Sequence, residues 1–360
     1  MTLALRSEVV RISFRDPFRI ARTVDSNESD GMTSVLVELI ADEAPGLVGL
    51  GEGYPDPYYG ETEATMAAVL PRLVGSVAAL EIRLVGPGAD LAGARAALIE
   101  AAERMAAALG NNGAAKCALD TALHDLVGKR FGLPVHAILG LSATIPPTDF
   151  TIGIDEPAIV GRRAARAARF PALKIKLGGP ADLETLRAVR AVFAGPIRVD
   201  ANTGWTLEQG KRLVPELVRF GVELIEQPFP AHRLDDLAAL QAVSPLPIVA
   251  DESAVTILDL DRLVGVVAGV NVKLAKCGGP GPAARMLARA RDLGFRTFLG
   301  CMEETSVGIA ASAAVASLAD WVDLDGCLLL AADPFEGLEL DESCHWTLTA
   351  APGLGVRRRA

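Results

Sequence analysis

The feature that most constrains this chain is a rhythm. From about Thr148 onward, short apolar runs alternate with amphipathic stretches, and charged residues recur where the apolar runs end. TDFTIGI is followed by EPAIVGRRAARAARF, LKIKLG by DLETLRAVRAVFA, IRVDAN by LEQGKRLVPELVRFG, and ELIEQP by HRLDDLAALQAVS. IVADES then precedes LDLDRLVGVVA, VNVKLAK precedes GPAARMLARARDLG, RTFLGCM precedes VGIAASAAVASLAD, and WVDLD closes the series. The pattern predicts eight strands with seven clear helices between them, a (β/α)7β barrel or a (β/α)8 barrel with a degenerate last helix. A doubly wound open sheet is the rival, but eight consecutive steps without a Gly-rich phosphate turn favour closure.

The strand ends carry Lys174 and Lys176, Asp200, Glu226, Asp251 and Lys273. Counted from Lys176, the steps are 24, 26, 25 and 22 residues (176 to 200, 226, 251 and 273). That is about one strand, one helix and two short loops per step. Side chains at the carboxyl ends of parallel barrel strands converge on one mouth, where barrel enzymes build their sites. A single lysine or aspartate at a strand end is commonly a solvated loop-edge charge. Six in this order are not.

Upstream, EVVRISF, SVLVELI and LVGLGEG read as strands, and a polar stretch from Phe18 to Gly31 leaves room for a mobile loop. Helical patterns follow in ETEATMAAVLPRLVGSVAAL, DLAGARAALIEAAERMAAAL and GAAKCALDTALHDLVGKRFG, the first expected to start or kink at Pro71. The expected organisation is an N-terminal α+β unit over 1–127, a barrel over 128–329, and a strand-like segment 330–360 returning to the N-terminal unit.

Composition narrows the function. Half the residues are apolar, 22% are charged and the net charge is −10, which argues against nucleic acid or an anionic membrane as the main partner. The five scattered cysteines contain no C-x-x-C, so reduced cytoplasmic thiols are expected rather than a zinc cage or disulfide framework. The N-terminus has no apolar signal core, and no run approaches the ~18 apolar residues of a membrane span.

On consecutive strands, Asp200, Glu226 and Asp251 form a hard-oxygen site suited to Mg²⁺. Lys176 and Lys273 end strands four apart in a ring of eight, and so face each other. A substrate carboxylate on the metal would have its α-carbon between two amines. One removes the α-proton and the other returns a proton to the opposite face, which is a racemisation or epimerisation. The metal would stabilise the enediolate between the two steps. Lys174, on the same strand face, is expected to lower the pKa of Lys176. None of the four histidines (His124, His136, His232, His345) falls at an expected strand end. On the last strand Asp323 and Asp325 lie two apart, facing the metal, and want a cation. A dipeptide, with a carboxylate at one end and an ammonium at the other, spans such a site.

These residues closely resemble the enolase superfamily, in the subgroup named for muconate lactonizing enzyme. The resemblance covers essentially the whole chain, through K-x-K at Lys174–Lys176, Asp200, Glu226, Asp251, VNVKLAKCGG and GCMEETS. Enolase-superfamily sites use a lysine or histidine base with Mg²⁺. The resemblance implies one Mg²⁺ per site, Lys176 and Lys273 as acid/base pair, and Lys174 at the substrate carboxylate. Asp323 and Asp325 resemble the ammonium-binding pair of dipeptide epimerases. In those acting on L-Ala-D/L-Glu, a loop arginine binds the glutamyl side chain, and here Arg22 is the best match, with Arg19 close by. Met302 and Cys301 are expected to line the pocket, and Tyr54, Tyr58 and Tyr59 to rim it. Asn202 either assists the metal or caps the next helix. Glu304 either orients Lys273 from behind or is a loop-edge charge. Lys276 is a lesser candidate for the second base, and Glu252 is expected to point behind its strand. Relatives often assemble into dimers or octamers, so a homo-oligomer is compatible with the resemblance. Cycloisomerase, o-succinylbenzoate synthase and N-acylamino acid racemase chemistry are the alternatives within the superfamily, and a barrel that binds a small acid without turnover is a further one.

Overall fold

The computed structural model describes residues 3–23 and 30–359. Part of the expected loop between Phe18 and Gly31, residues 24–29, lies outside that range. Strands β1 (Leu3–Ser13), β2 (Gly31–Ala41) and β3 (Val48–Gly53) form an antiparallel sheet with β2 in the middle. Its register pairs Val9 with Val35 and Val37 with Gly51. β2 alternates toward two packed layers and carries β-branched residues throughout, as a central strand should.

The helix Gly113–Phe131 lies directly on β3. A Cβ added at Gly49, Gly51 or Gly53 would sit 2.2, 1.9 or 2.2 Å from the carbonyl oxygens of Ala122, Ala118 and Ala114 respectively. The match is geometric. Two residues advance a strand by about 6.6 Å and four advance a helix by about 6 Å, so every second strand residue meets every fourth helix residue. Helices Glu63–Val77 and Leu91–Ala108 complete this layer. The first runs on through Pro71 rather than starting there. The carbonyl that loses its donor belongs to exposed Ala67, where water can replace it.

The barrel strands are β4 (Phe150–Ile152), β5 (Leu173–Lys176), β6 (Ile197–Asp200), β7 (Val222–Glu226), β8 (Ile248–Ala250), β9 (Gly269–Val272), β10 (Arg296–Gly300) and β11 (Trp321–Asp323). They pair in parallel in chain order. The ring closes where Asp149 N–H donates to the Val322 carbonyl at 3.1 Å and Leu324 N–H donates to Thr148 Oγ1 at 2.8 Å. The helix expected after IVADES is reduced to a 3₁₀ turn at Ile257–Asp259 and one turn at Leu260–Leu263, ending at the left-handed Gly265. Among the described residues no helix is long and apolar enough to cross a membrane.

The chain beyond the barrel folds back. β12 (Phe335–Glu336) pairs with β13 (Arg357–Arg358), and Phe335 packs with Leu36 and Leu50 of the N-terminal sheet. The helix Gly113–Phe131 runs through the boundary expected at 127–128, so we place the division after Phe131.

Gly51→Ala is expected to lower stability by roughly 1–3 kcal/mol, the usual cost of forcing atoms into a closed contact. Gly75→Ala, exposed inside a helix with nothing within 4 Å of its added methyl, is expected to raise it by about 0.5–1 kcal/mol. Urea denaturation reads both. A Gly51→Ala protein as stable as the parent would show that the strand and helix are not in rigid contact.

Candidate active site

Register delivers the site. Lys176 pairs with Asp200 across β5 and β6, and Asp200 pairs with Glu226 across β6 and β7, so three charged strand ends stand side by side. Ligand oxygens of Asp200, Glu226 and Asp251 lie within 4.8 Å of one another, and all three residues are buried. Asp200 Oδ1 accepts from Asn202 N–H at 2.8 Å, and Glu226 Oε1 accepts from Asn271 Nδ2 at 2.7 Å. Glu226 Oε2 lies 2.8 Å from the Lys174 ammonium but receives no hydrogen bond.

Four lysines hold this acid cluster together. Lys174 is wholly buried, with Nζ 2.8 Å from Asp323 Oδ2 and 3.4 Å from Asp200 Oδ2, so it bridges the triad and the far wall. Lys176 Nζ donates to Asp200 Oδ2 at 2.7 Å. Lys273 Nζ lies 3.0 Å from Asp251 Oδ2 and 3.9 Å from the Met302 sulfur. The Lys276 side chain is wholly buried. It sits in the one-turn helix Leu274–Cys277, with Nζ 2.5 Å from Asp251 Oδ1 and 2.6 to 3.0 Å from the carbonyls of Asp251, Ala254 and Asn271. It is an internal anchor for Asp251.

The charges respond to this packing. Burial alone would raise Asp251, but Lys273 and Lys276 hold it far below the usual carboxylate range. Lys176 and Lys174 likewise keep Asp200 low against burial. Glu226 is pushed up to about 7 by burial and by the Asp200 charge. Burial would lower Lys273 and Lys174, but Asp251 beside the first and Asp323 beside the second raise both. The donor set fits Mg²⁺: three carboxylates within reach of one ion, one of them with an oxygen that no hydrogen bond satisfies.

Across the mouth, Thr151 holds both aspartates of the last strand. Its Oγ1 donates to Asp323 Oδ1 at 2.9 Å and its N–H to Asp325 Oδ2 at 2.6 Å. Lys174 keeps Asp323 low against burial, whereas burial and the Asp323 charge push Asp325 well up. Both aspartates, Lys174, Lys176, Lys273 and Met302 line one pocket of 150 Å³.

The N-terminal unit supplies the roof of that pocket through Phe14, Phe18, Ile20, Arg22, Tyr54 and Tyr59. Arg22 stacks on Tyr58 at 4.2 Å and forms an ion pair with Glu252. Glu252 therefore turns toward the mouth rather than behind its strand, because its buried carboxylate meets a cation only there. Arg19 is drawn aside to Asp155 at 3.8 Å. Asn202 does not cap the next helix, whose N-cap is Thr206. Its Nδ2 faces Glu252 at 3.4 Å. Glu304 Oε2 accepts from Met302 N–H at 3.2 Å, and the Met302 sulfur lies 3.9 Å from Lys273 Nζ. Burial and the nearby Glu52 raise Glu304 to about 8. Thr151 and Asn271 are the residues that sequence reasoning missed. Asn271 stands two before Lys273 and so shares its strand face, a signal that parity alone would have given.

Two family models cover the chain. "Mandelate racemase / muconate lactonizing enzyme, N-terminal domain" matches residues 4–140, and "Enolase C-terminal domain-like" matches 160–359. A hydrophobic dipeptide epimerase of Roseobacter litoralis is 40% identical over 359 residues, 96% of each chain. An L-Ala-D/L-Glu epimerase of Bacteroides thetaiotaomicron is 44% identical over 248 residues, spanning 68% of this chain and 64% of that protein. Among solved structures, the dipeptide epimerase of Enterococcus faecalis V583 complexed with Mg and L-Leu-L-Tyr superposes with a TM-score of 0.87, at 30% identity over 99% of each chain.

Because Glu226 holds a proton up to about pH 7, an ion entering the triad must displace it. Mg²⁺ affinity is expected to fall by about tenfold per pH unit below that point and to level off above it. Calorimetric titration with Mg²⁺ across this range, in buffers of different ionisation heat, reads both the affinity and the released proton. A flat affinity would show that Glu226 is already ionised.

Proposed function

We propose that this chain, which belongs to the enolase superfamily by the match of both its halves, is a Mg²⁺-dependent dipeptide epimerase. The observation that carries the reading is the pair of lysines on either side of a carboxylate triad, with a second acid pair across the mouth. Lys176 ends β5 and Lys273 follows β9, four strands on in a ring of eight. The triad lies on the arc between them, and Asp323 and Asp325 stand opposite.

In this reading the substrate's C-terminal carboxylate lies over the triad and its ammonium against Asp323 and Asp325. Mg²⁺, held by Asp200, Glu226 and Asp251, supplies Lewis-acid stabilisation of negative charge on the substrate carboxylate. The chain's own groups move the protons. A neutral lysine amine takes the α-proton of the C-terminal residue and becomes an ammonium, and the electron pair left on carbon spreads into the carboxylate. The opposite lysine, an ammonium at the start, delivers its proton to the other face and becomes neutral. Protons balance, and only the configuration has changed. Lys174 places a fixed positive charge beside the substrate carboxylate. Met302 packs against Lys273 and substrate, and Arg22 at the roof meets the C-terminal side chain, an acidic one in L-Ala-D/L-Glu. The small-molecule substrate is a dipeptide. The rest of the cellular setting, a cytoplasmic enzyme that forms homo-oligomers, belongs to the same proposal.

In D₂O the wild type is expected to place deuterium on the α-carbon of the C-terminal residue of both the L,L and the L,D dipeptide. Lys176→Ala and Lys273→Ala are each expected to lose epimerisation by roughly 10²–10⁴-fold or more. Each keeps exchange for one epimer, and the two variants keep opposite ones. Mass spectrometry with chiral separation reads this. If both variants exchange the same epimer, the two-base assignment is wrong.

A further inference from the structure

A second cavity lies against the wall of the active-site pocket. At 380 Å³ it is larger than the 150 Å³ pocket itself, and the two share Phe18, Thr151 and Leu329. Its floor is aromatic: Phe150 and Phe170 pack with centroids 4.9 Å apart and planes tilted by 36°, beside Phe18. Its rim carries four arginines, Arg15, Arg163, Arg166 and Arg169, and one carboxylate, Asp16.

The local charge is opposite to that of the whole chain, whose net charge is −10. Asp16 pairs with Arg166 at 2.5 Å and lies 3.7 Å from Arg163, which also meets Asp155 at 3.0 Å. That leaves two guanidiniums. Arg15 donates through Nε to the Leu330 carbonyl at 2.7 Å, and Arg169 stacks on Phe170 at 5.0 Å. Neither has a carboxylate within ion-pair distance among the described residues. Solvated surface arginines do not require a cavity, and an apolar cavity does not require arginines. A concave apolar floor with a few convergent donors is how small-ligand sites are built, and the guanidinium fork matches a carboxylate.

The geometry points to a second binding site, taking a carboxylate carried on an apolar or aromatic body, with the body on Phe150 and Phe170 and the anion between Arg15 and Arg169. Its occupant also touches Thr151, the residue that holds Asp323 and Asp325. Two sources share this chemistry: a separate small acid, or an acidic side chain on the N-terminal residue of the dipeptide.

Calorimetry with 3-phenylpropionate and its uncharged amide on the full-length, Mg²⁺-loaded protein tests the site. The acid is expected to bind and the amide not. Arg15→Ala/Arg169→Ala is expected to weaken binding by roughly tenfold or more, and Arg15→Lys/Arg169→Lys to restore part of it, with melting curves confirming the fold. The acid also fits over the triad of the catalytic pocket, where its carboxylate would need the metal, so the titration is repeated without Mg²⁺. Binding lost in the arginine variant but kept without Mg²⁺ supports the site. Binding absent from the wild type, or lost only when Mg²⁺ is withheld, overturns it for a separate acid. The second source is read by the KM for L-Gln-L-Leu over that for L-Glu-L-Leu. A ratio of roughly tenfold or more that collapses toward one in the arginine variant assigns the cavity to the substrate's own side chain. No effect in either arm overturns the inference altogether. The kinetic arm alone rests on the epimerase reading, so a protein that turns over no dipeptide refutes that reading while calorimetry still decides the cavity.

Discussion

Everything at the barrel mouth depends on one electrostatic balance. Three carboxylates buried within 4.8 Å of one another would repel strongly in a low-dielectric interior. Four lysines, two at the end of β5 and two just beyond β9, answer them, and Lys174 touches the most of them, since its ammonium contacts Asp200, Glu226 and Asp323 at once. The balance is incomplete by design of position rather than by lack of charge. Glu226 keeps an oxygen without a hydrogen bond and a proton up to about pH 7. A divalent cation is the species that would complete it. Lys276, fully buried and outside the pocket, fixes Asp251 so that its other oxygen faces Lys273.

The roof is attached to this base by contacts of a different kind. Glu52, buried on β3, accepts from Thr305 N–H and Oγ1 and from Gly308 N–H. A carboxylate of the N-terminal sheet thereby caps the helix Ser306–Ala313 of the barrel, where the helix dipole favours it. The polar register there and the glycine–alanine contact between β3 and Gly113–Phe131 fix where Phe14, Phe18, Arg22 and Tyr59 can stand. In the proposed reading, specificity would be carried by a layer whose position is set by backbone packing, and the chemistry by strand ends set by sheet register. The two can vary separately.

The sequence alone determined the eight strand–helix steps, and with them the barrel, because parallel strands buried on both faces leave unbroken apolar runs and their ends must converge. It therefore determined which carboxylates and lysines meet: spacing and strand parity are enough to bring Asp200, Glu226, Asp251, Lys176 and Lys273 to one mouth. The glycine stripe at Gly49, Gly51 and Gly53 and the alanines of the facing helix were also written there, though only the observed contact shows their meaning. Tertiary structure decided the rest. That Arg22 meets Glu252, that Lys276 anchors Asp251, that Thr151 holds Asp323 and Asp325, and that an arginine-rimmed cavity adjoins the pocket are all contacts between segments far apart in the chain. Periodicity reports which face of its own element a side chain occupies. Which foreign charge or ring lies opposite that face depends on how whole layers pack, and no local pattern contains it.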